Sequence, residues 1–372
     1  MPIGTKKYLA IQLSNVRRSN LMSKSTDIRP VSAELYFIPV KVRVPLKFGA
    51  ETLTSVVCAR VKLGVEDKSG NQSFGWGETP LSVPWVWPSE LSFEYRETAL
   101  KDFCIKLAKA WSEFNCFGHP MEVGDDFQRE ILSGLLKDFN AAIKSPIPYL
   151  GALVCCSPFD IALHDGYGNL HNIPIYETYN EKYMNRDLSS FMAPVEKSNI
   201  SFKGQYPCDY FPASIPEKLP VWHLVGGKDC IIEGDLTGTE PGDGYPVLLQ
   251  DWILRDGLNC LKVKLRGNDE IWDYQRLVDV GRIAAKHDLS WLSADFNCMV
   301  HEPDYVNRIL DKLLWEEPAI YGKILYVEQP FPYELGENKI DVHSVSARKP
   351  LFMDESAHDW HLIKLGRALG WT

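Results

Sequence analysis

No apolar run in the 372 residues approaches the roughly 20 that a helix needs to cross a bilayer, so no membrane partner is expected. Positive charge is not in excess either: 40 Lys and Arg stand against 49 Asp and Glu, for a net charge of −9. A grip on nucleic acid depends on basic side chains that neutralise phosphates, so no nucleic-acid partner is expected. The N-terminal MPIGTKKYLAIQLSNVRRSN carries scattered basic residues but no continuous apolar core and no small-residue cleavage site, which makes a poor secretory signal.

Cys-x-x-Cys spacing is absent. The nine cysteines (Cys58, Cys104, Cys116, Cys155, Cys156, Cys208, Cys230, Cys260 and Cys298) are odd in number and scattered. They read as the reduced thiols of a cytoplasmic protein, not as a disulfide framework. No Walker loop and no Gly-x-Gly-x-x-Gly follows a strand pattern, and no Ser-His-Asp grouping occurs. What is present is ordinary for a globular chain: 45% hydrophobic and 24% charged residues, which excludes wholesale disorder and fibrous architectures.

Residues 1–32 are mixed polar and basic and read as an N-terminal arm. From Ala33 the pattern changes. AELYFIPVKVRVP and SVVCARVKLGVED alternate apolar and polar residues, as strands of an antiparallel sheet do. SFGWGETP (73–80) is expected as a third strand with glycines at a bend. Helical spacing follows in 97–114, 127–143 and 155–170, with Ser157 and Pro158 marking a helix start. Strands and then helices in separate blocks indicate an α+β domain over 33–180. Residues 181–218, rich in Pro, Ser, Lys and Tyr, read as a connection.

After Leu219 the rhythm becomes βαβα. Apolar strands are expected at 219–226, 259–267, 290–297, 323–330 and 350–356, with amphipathic helices at 269–289, 303–318 and 359–370. Helix-linked short apolar strands imply a parallel sheet. Four of these strands end in charged residues: Lys262 and Lys264; Asp295 and Asn297; Glu328; Asp354 and Glu355. The spacing from Lys262 to Asp295 and from Asp295 to Glu328 is one βαβ repeat, about 30 residues. Right-handed crossovers put such ends on one edge of the sheet.

Three carboxylates meeting there would repel one another, and a hard divalent cation with oxygen ligands resolves the conflict. A lysine beside the cation is pushed towards its neutral form and can take a proton from a carbon next to a bound carboxylate, the metal then stabilising the enediolate. Taken singly, KVK is an exposed face, DFN a turn, EQP a strand exit and DES a helix cap. Together, in regular βα phase, they point to function. The histidines show no ligand spacing; His223 reads as a core histidine or a substrate contact, and His358 and His361 as part of an exposed helix start.

The motifs K-V-K (262–264), D-F-N (295–297), E-Q-P (328–330) and D-E-S (354–356) resemble, in order and spacing, the enolase superfamily, in its mandelate racemase and muconate-lactonizing branches. PLKFGAETLTSVVCARVKLGVEDKSGNQSFGWGETPL is similar to the capping domain of that family, and SPFDIALHDGYGNLHNIPIYE to the helix before its barrel. The resemblance implies an α+β capping domain and a TIM-type (β/α)7β barrel. It implies Mg²⁺ (Mn²⁺ as an alternative) held by Asp295, Glu328 and Asp354, with Lys264 as acid/base and Lys262 as its electrostatic partner. Asn297, Gln329 and Glu355 would contact the substrate, a small-molecule carboxylate, or support the residues that do. Racemisation or epimerisation, cycloisomerisation or elimination would follow. D-E-S leans towards the muconate-lactonizing branch, which includes dipeptide epimerases and o-succinylbenzoate synthases. Cap loops near Phe48–Thr52 and Ser82–Trp87 would cover the substrate, and homo-oligomers are expected.

Two features depart from the pattern. Residues 228–252 form a long, Gly-rich, acidic connection, a lid or a solvated insertion. Five barrel strands are counted from Leu219, in fewer residues than the roughly 250 of such barrels, so the barrel is expected to be truncated after its fifth strand. The alternatives to an isomerase are a catalytically silent relative that serves as a binding or structural protein, and a sugar-acid dehydratase.

Overall fold

A computed structural model describes residues 23–48, 51–194, 197–214 and 216–372. Three strands, β1 (Ile28–Phe48), β2 (Glu51–Asp67) and β3 (Gln72–Pro80), form an antiparallel meander in that order. Alternation makes it amphipathic: Ala59, Val61, Leu63 and Val65 of β2 are fully buried, and Arg60, between the first two, is exposed. The β2–β3 turn closes because the Asp67 carboxylate accepts from the backbone N–H of Ser69 and Asn71 at 2.8 and 2.9 Å, with Gly70 at φ +83°.

β1 starts at Ile28, inside the stretch read as an arm. Ile28 is fully buried and exchanges two 3.0 Å backbone hydrogen bonds with Gly118, a partner that no local pattern announces. Residues 1–22 of that arm lie outside the described residues.

The meander is backed by helices α1 (Val83–Val86), α2 (Phe93–Glu113), α3 (Pro120–Phe127), α4 (Ser133–Asn140) and α5 (Tyr149–His171). Two expectations change here. The glycines of β3 do not form a bend: a Cβ on Gly75 would stand 2.1 Å from Gly166 N, and one on Gly77 2.0 Å from Pro158 O. They let the strand backbone lie directly on α5. That helix also begins at Tyr149, eight residues before Ser157, and holds Pro158 in its interior. The carbonyl that Pro158 cannot serve is that of Val154, and the Ser157 hydroxyl donates to it at 2.9 Å. The core of this half is aromatic, with Trp111 stacked on Phe127 at 3.9 Å between ring centres.

Beyond the connection, five parallel strands form one sheet: β4 (Trp222–Val225), β5 (Cys260–Lys264), β6 (Trp291–Asp295), β7 (Ile324–Glu328) and β8 (Leu351–Phe352), in the order β4-β5-β6-β7-β8. Helices α6 (Leu249–Asp256), α7 (Glu270–Lys286), α8 (Pro303–Glu316), α9 (Pro318–Lys323), α10 (His343–Ser346) and α11 (Trp360–Leu369) alternate with them. Leu261, Val263, Leu292, Ala294, Val327 and Leu351 form the face buried in the core and are fully buried. The opposite face carries Lys262, Lys264, Ser293, Asp295, Tyr326 and Glu328, and along it the rings of Trp222, Tyr326 and Phe352 follow one another at 5.6 and 5.2 Å. None of the nine cysteines forms a disulfide. Among the described residues no helix is long and apolar enough to cross a membrane.

Candidate active site

Strand register assembles the charged residues. Lys264 pairs with Asp295 across β5 and β6, and Asp295 with Glu328 across β6 and β7. Lys262, two residues before Lys264 on the same face, places its ammonium between the two carboxylates, donating to Glu328 and to Asp295, the latter at 3.0 Å. The Lys264 ammonium donates to Asp295 and, at 2.8 Å, to Asn297 Oδ1.

The turn after β6 explains how Asn297 comes back to this edge. Asn297 and Cys298 adopt φ of 53° and 61°, a left-handed conformation that asparagine tolerates. The Asn297 N–H donates to Asp295 Oδ1 at 2.9 Å, and its side-chain amide to the Leu265 carbonyl at 3.0 Å. Asn297 thus ties the ends of β5 and β6 together while receiving Lys264.

Gln329 supports the neighbouring strand end. It is fully buried; its amide donates to Phe331 O at 3.0 Å and to Ser356 Oγ at 2.8 Å, and its Oε1 accepts from the N–H of Asp354 and of Ser356 at 3.0 and 3.1 Å. It is a bracket that fixes the backbone after β8, so it positions Asp354 and is itself shut away from any ligand. Glu355 Oε1 accepts from the Trp85 indole N–H at 2.8 Å, which joins the loop of the antiparallel half to the strand edge. Its Oε2 is buried and has no hydrogen-bond partner among the described residues.

Charge crowding shows in proton affinities. Burial pushes the Glu328 carboxyl up to about 7; Asp295 and Asp354 add to this and Lys262 opposes it. Burial works against the charge of Lys262, but Asp295 and Glu328 outweigh it and hold its pKa above the usual lysine range. Lys262 is thus held charged between the two carboxylates, as an electrostatic partner would be.

The donors at this edge are carboxylate oxygens, the chemistry that suits Mg²⁺, and Asp295 and Glu328 share one ammonium as two ligands share a cation. The expected trio is not assembled. Among the described residues no group of three His, Cys, Asp or Glu side chains gathers as a metal centre. Asp295 and Glu328 instead pair with lysines of the same face, the arrangement that like-charge repulsion favours. The fit to a divalent cation is thus one of two ligands, Asp295 and Glu328, with Asp354 at the next strand end.

A cavity of about 710 Å³ borders this edge. Asn297, Cys298, Tyr333 and Glu355 line it from the strand ends, and Glu51, Trp85 and Arg96 from the antiparallel half. The two loops expected to cover the substrate thus contribute Glu51 and Trp85. Arg96 was not foreseen, since a single arginine in a helical pattern carries no local signal. It is almost fully buried and donates to the Trp87 carbonyl and to Glu51, each at 2.7 Å, which pins both loops. His358 departs from the exposed position expected: its side chain is 7% exposed and its Nδ1 lies 2.7 Å from Glu355 O. The side chain of His361 lies outside the described residues.

No protein-family profile matches the chain, and no curated protein matches it. Solved structures do. The chain aligns with a mandelate racemase/muconate lactonizing protein from Herpetosiphon aurantiacus at a TM-score of 0.55 and 16% identity, over 94% of this chain and 74% of that one. A dipeptide epimerase from Enterococcus faecalis V583, complexed with Mg and L-Leu-L-Tyr, gives 0.54 and 14%, over 91% and 72%. An N-succinyl Arg/Lys racemase from Bacillus cereus gives 0.53 and 16%, over 92% and 70%. At these identities the likeness is one of fold: an antiparallel cap with helices, joined to a parallel β/α unit. It is shared with structures of racemases and epimerases.

Proposed function

We propose that this chain is an isomerase of the enolase-superfamily type, which removes the proton α to a substrate carboxylate and returns it, racemising or epimerising that carbon. The observation that carries the reading is the edge of β5–β7, where two lysines on one face both bond Asp295 beside a cavity large enough for a small molecule. Lys264 takes the α-proton on its own face, and inversion follows when a second acid or solvent delivers a proton to the opposite face. Asn297 and Asp295 fix the direction of its amine through hydrogen bonds, and Lys262 stays charged and offsets the two carboxylates. Asp295 and Glu328 would hold Mg²⁺, with Asp354 as the third acid of the edge. When bound, the cation supplies stabilisation for charge that builds on the substrate carboxylate. Glu51, Trp85 and Arg96 close the cavity and exclude water.

The fold likeness to racemases and epimerases favours those outcomes over elimination. A place in the muconate-lactonizing branch rests on Asp354–Ser356 alone. A cytoplasmic setting rests on nine cysteines that form no disulfide. Incubating single enantiomers of α-substituted acids (dipeptides, N-acyl amino acids, mandelate) with protein and Mg²⁺ tests the reading by chiral chromatography. Appearance of the opposite configuration at the α-carbon is expected; configurational stability of every acid would count against it.

One observation favours a second reading, a catalytically silent binding protein: the strand-end acids are neutralised by lysines of the chain itself, and among the described residues no three acids gather. Mg²⁺ binding without any effect on substrate would support it.

A further inference from the structure

A second, smaller cavity of about 100 Å³ adjoins the candidate base, and its lining is basic. Lys47 reaches it from β1, Lys228 from the residues after β4, and Arg266 from the residues after β5; Gly227 and Leu265 complete the wall. Leu265 directly follows Lys264, and its carbonyl accepts from the same Asn297 amide that belongs to the large cavity. The basic cavity therefore lies one residue beyond the lysine proposed to act on the α-carbon.

Three cations converge here in a chain whose net charge is −9. The Arg266 guanidinium pairs with Asp269 at 3.1 Å and lies 4.0 Å from the centre of the Trp272 ring, which fixes the plane of its donors, while its backbone N–H donates to the Asp273 carboxylate at 2.7 Å. Lys47 and Lys228 make no ion pair with the described residues. The protein thus answers the charge of Arg266 and leaves that of the two lysines over. The space would hold about three waters at their liquid volume, which suits a carboxylate or phosphate group and not a whole substrate.

We infer that the cavity of Lys47, Lys228 and Arg266 is a subsite for a second anionic group on the substrate, so that the preferred substrates are acids with two anionic ends. The inference rests on the reaction proposed above and adds the substrate class. The two lysines supply charge and the guanidinium supplies directed N–H donors.

Acylation footprinting of the full chain, read by mass spectrometry, tests this without turnover. The probes are glutarate, pentanoate and inorganic phosphate, with exposed Lys312 of α8 as reference. Glutarate is expected to slow modification of Lys47 and Lys228 at least threefold and to leave Lys312 unchanged, whereas pentanoate protects neither. In Lys228→Gln the protection of Lys47 by glutarate is expected to fall by half or more. Equal effects of glutarate and pentanoate would overturn the inference. So would protection by phosphate alone, which would make the cavity a free-anion site. Absence of α-carbon chemistry with protection intact would instead sink the proposed reaction.

Discussion

Asp295 and Glu328 stand opposite each other on neighbouring parallel strands, and one ammonium, that of Lys262, bonds both. Burial, with the charge of Asp295 adding to it, raises the pKa of Glu328 to about 7 from an ordinary 4.5. A carboxyl whose folded pKa is raised binds its proton more tightly in the native state. Its contribution to stability is therefore fully present below about 4.5 and is lost as pH rises through about 7. Urea midpoints measured from pH 4.5 to 7.5 should fall more steeply for wild type than for Glu328→Gln. Equal slopes would mean that Glu328 titrates normally.

The same triad predicts an asymmetric response to mutation. Lys262→Met leaves two adjoining buried carboxylates without their shared cation. Breaking a buried pair on one side costs roughly 3–5 kcal/mol. Replacing all four charged residues of the edge, Lys264 included because it also pairs with Asp295, by apolar residues should cost less than the single change, since no uncompensated charge is left. Equilibrium denaturation of the single and quadruple variants measures this, and a harmless Lys262→Met would show that the pair is solvated.

Close backbone packing of β3 on α5 makes its glycines intolerant. Gly77→Ala would put a methyl 2.0 Å from the Pro158 carbonyl, backbone that cannot step aside. A loss of about 3 kcal/mol or more is expected from such overpacking, whereas Gly134→Ala, with open space around it, should be neutral or slightly stabilising. Thermal midpoints of the two variants decide.

Much of this was legible in the chain and some was not. Strand and helix periods gave the two-part architecture, and the phase of Lys262, Lys264, Asp295 and Glu328 gave their common edge, because one βα repeat brings each to the same end. The start of β1 was hidden, since Ile28 pairs with Gly118 far along the chain. The start of α5 was misplaced because Pro158 mimics a helix start, and only the Ser157 hydroxyl reveals how the interior proline is served. The pairing of the acids with lysines in place of a three-acid centre depends on side-chain distances, which spacing does not set.

The acidic connection after β4, read as a lid or a solvated insertion, is clasped to the antiparallel half. The Arg43 guanidinium of β1 holds the Asp243 carboxylate through two bonds of 2.6 and 2.8 Å and also donates to the carbonyls of Tyr245 and Pro246 at 3.1 Å. Asp243→Asn should expose residues 236–244 to limited proteolysis several-fold faster and change global stability by less than about 1 kcal/mol, as surface pairs do. Unchanged cleavage would show that the clasp does not restrain the segment.

The central claim is that Lys264 moves a proton at the α-carbon of a bound acid. Proton NMR in D₂O with Mg²⁺ measures it directly, by loss of the α-proton signal of a substrate acid. Wild type should exchange that proton, and Lys264→Ala, still folded by circular dichroism, should do so about 10²–10⁴-fold more slowly, the usual contribution of a positioned acid/base group. Exchange at the same rate in Lys264→Ala would contradict the account.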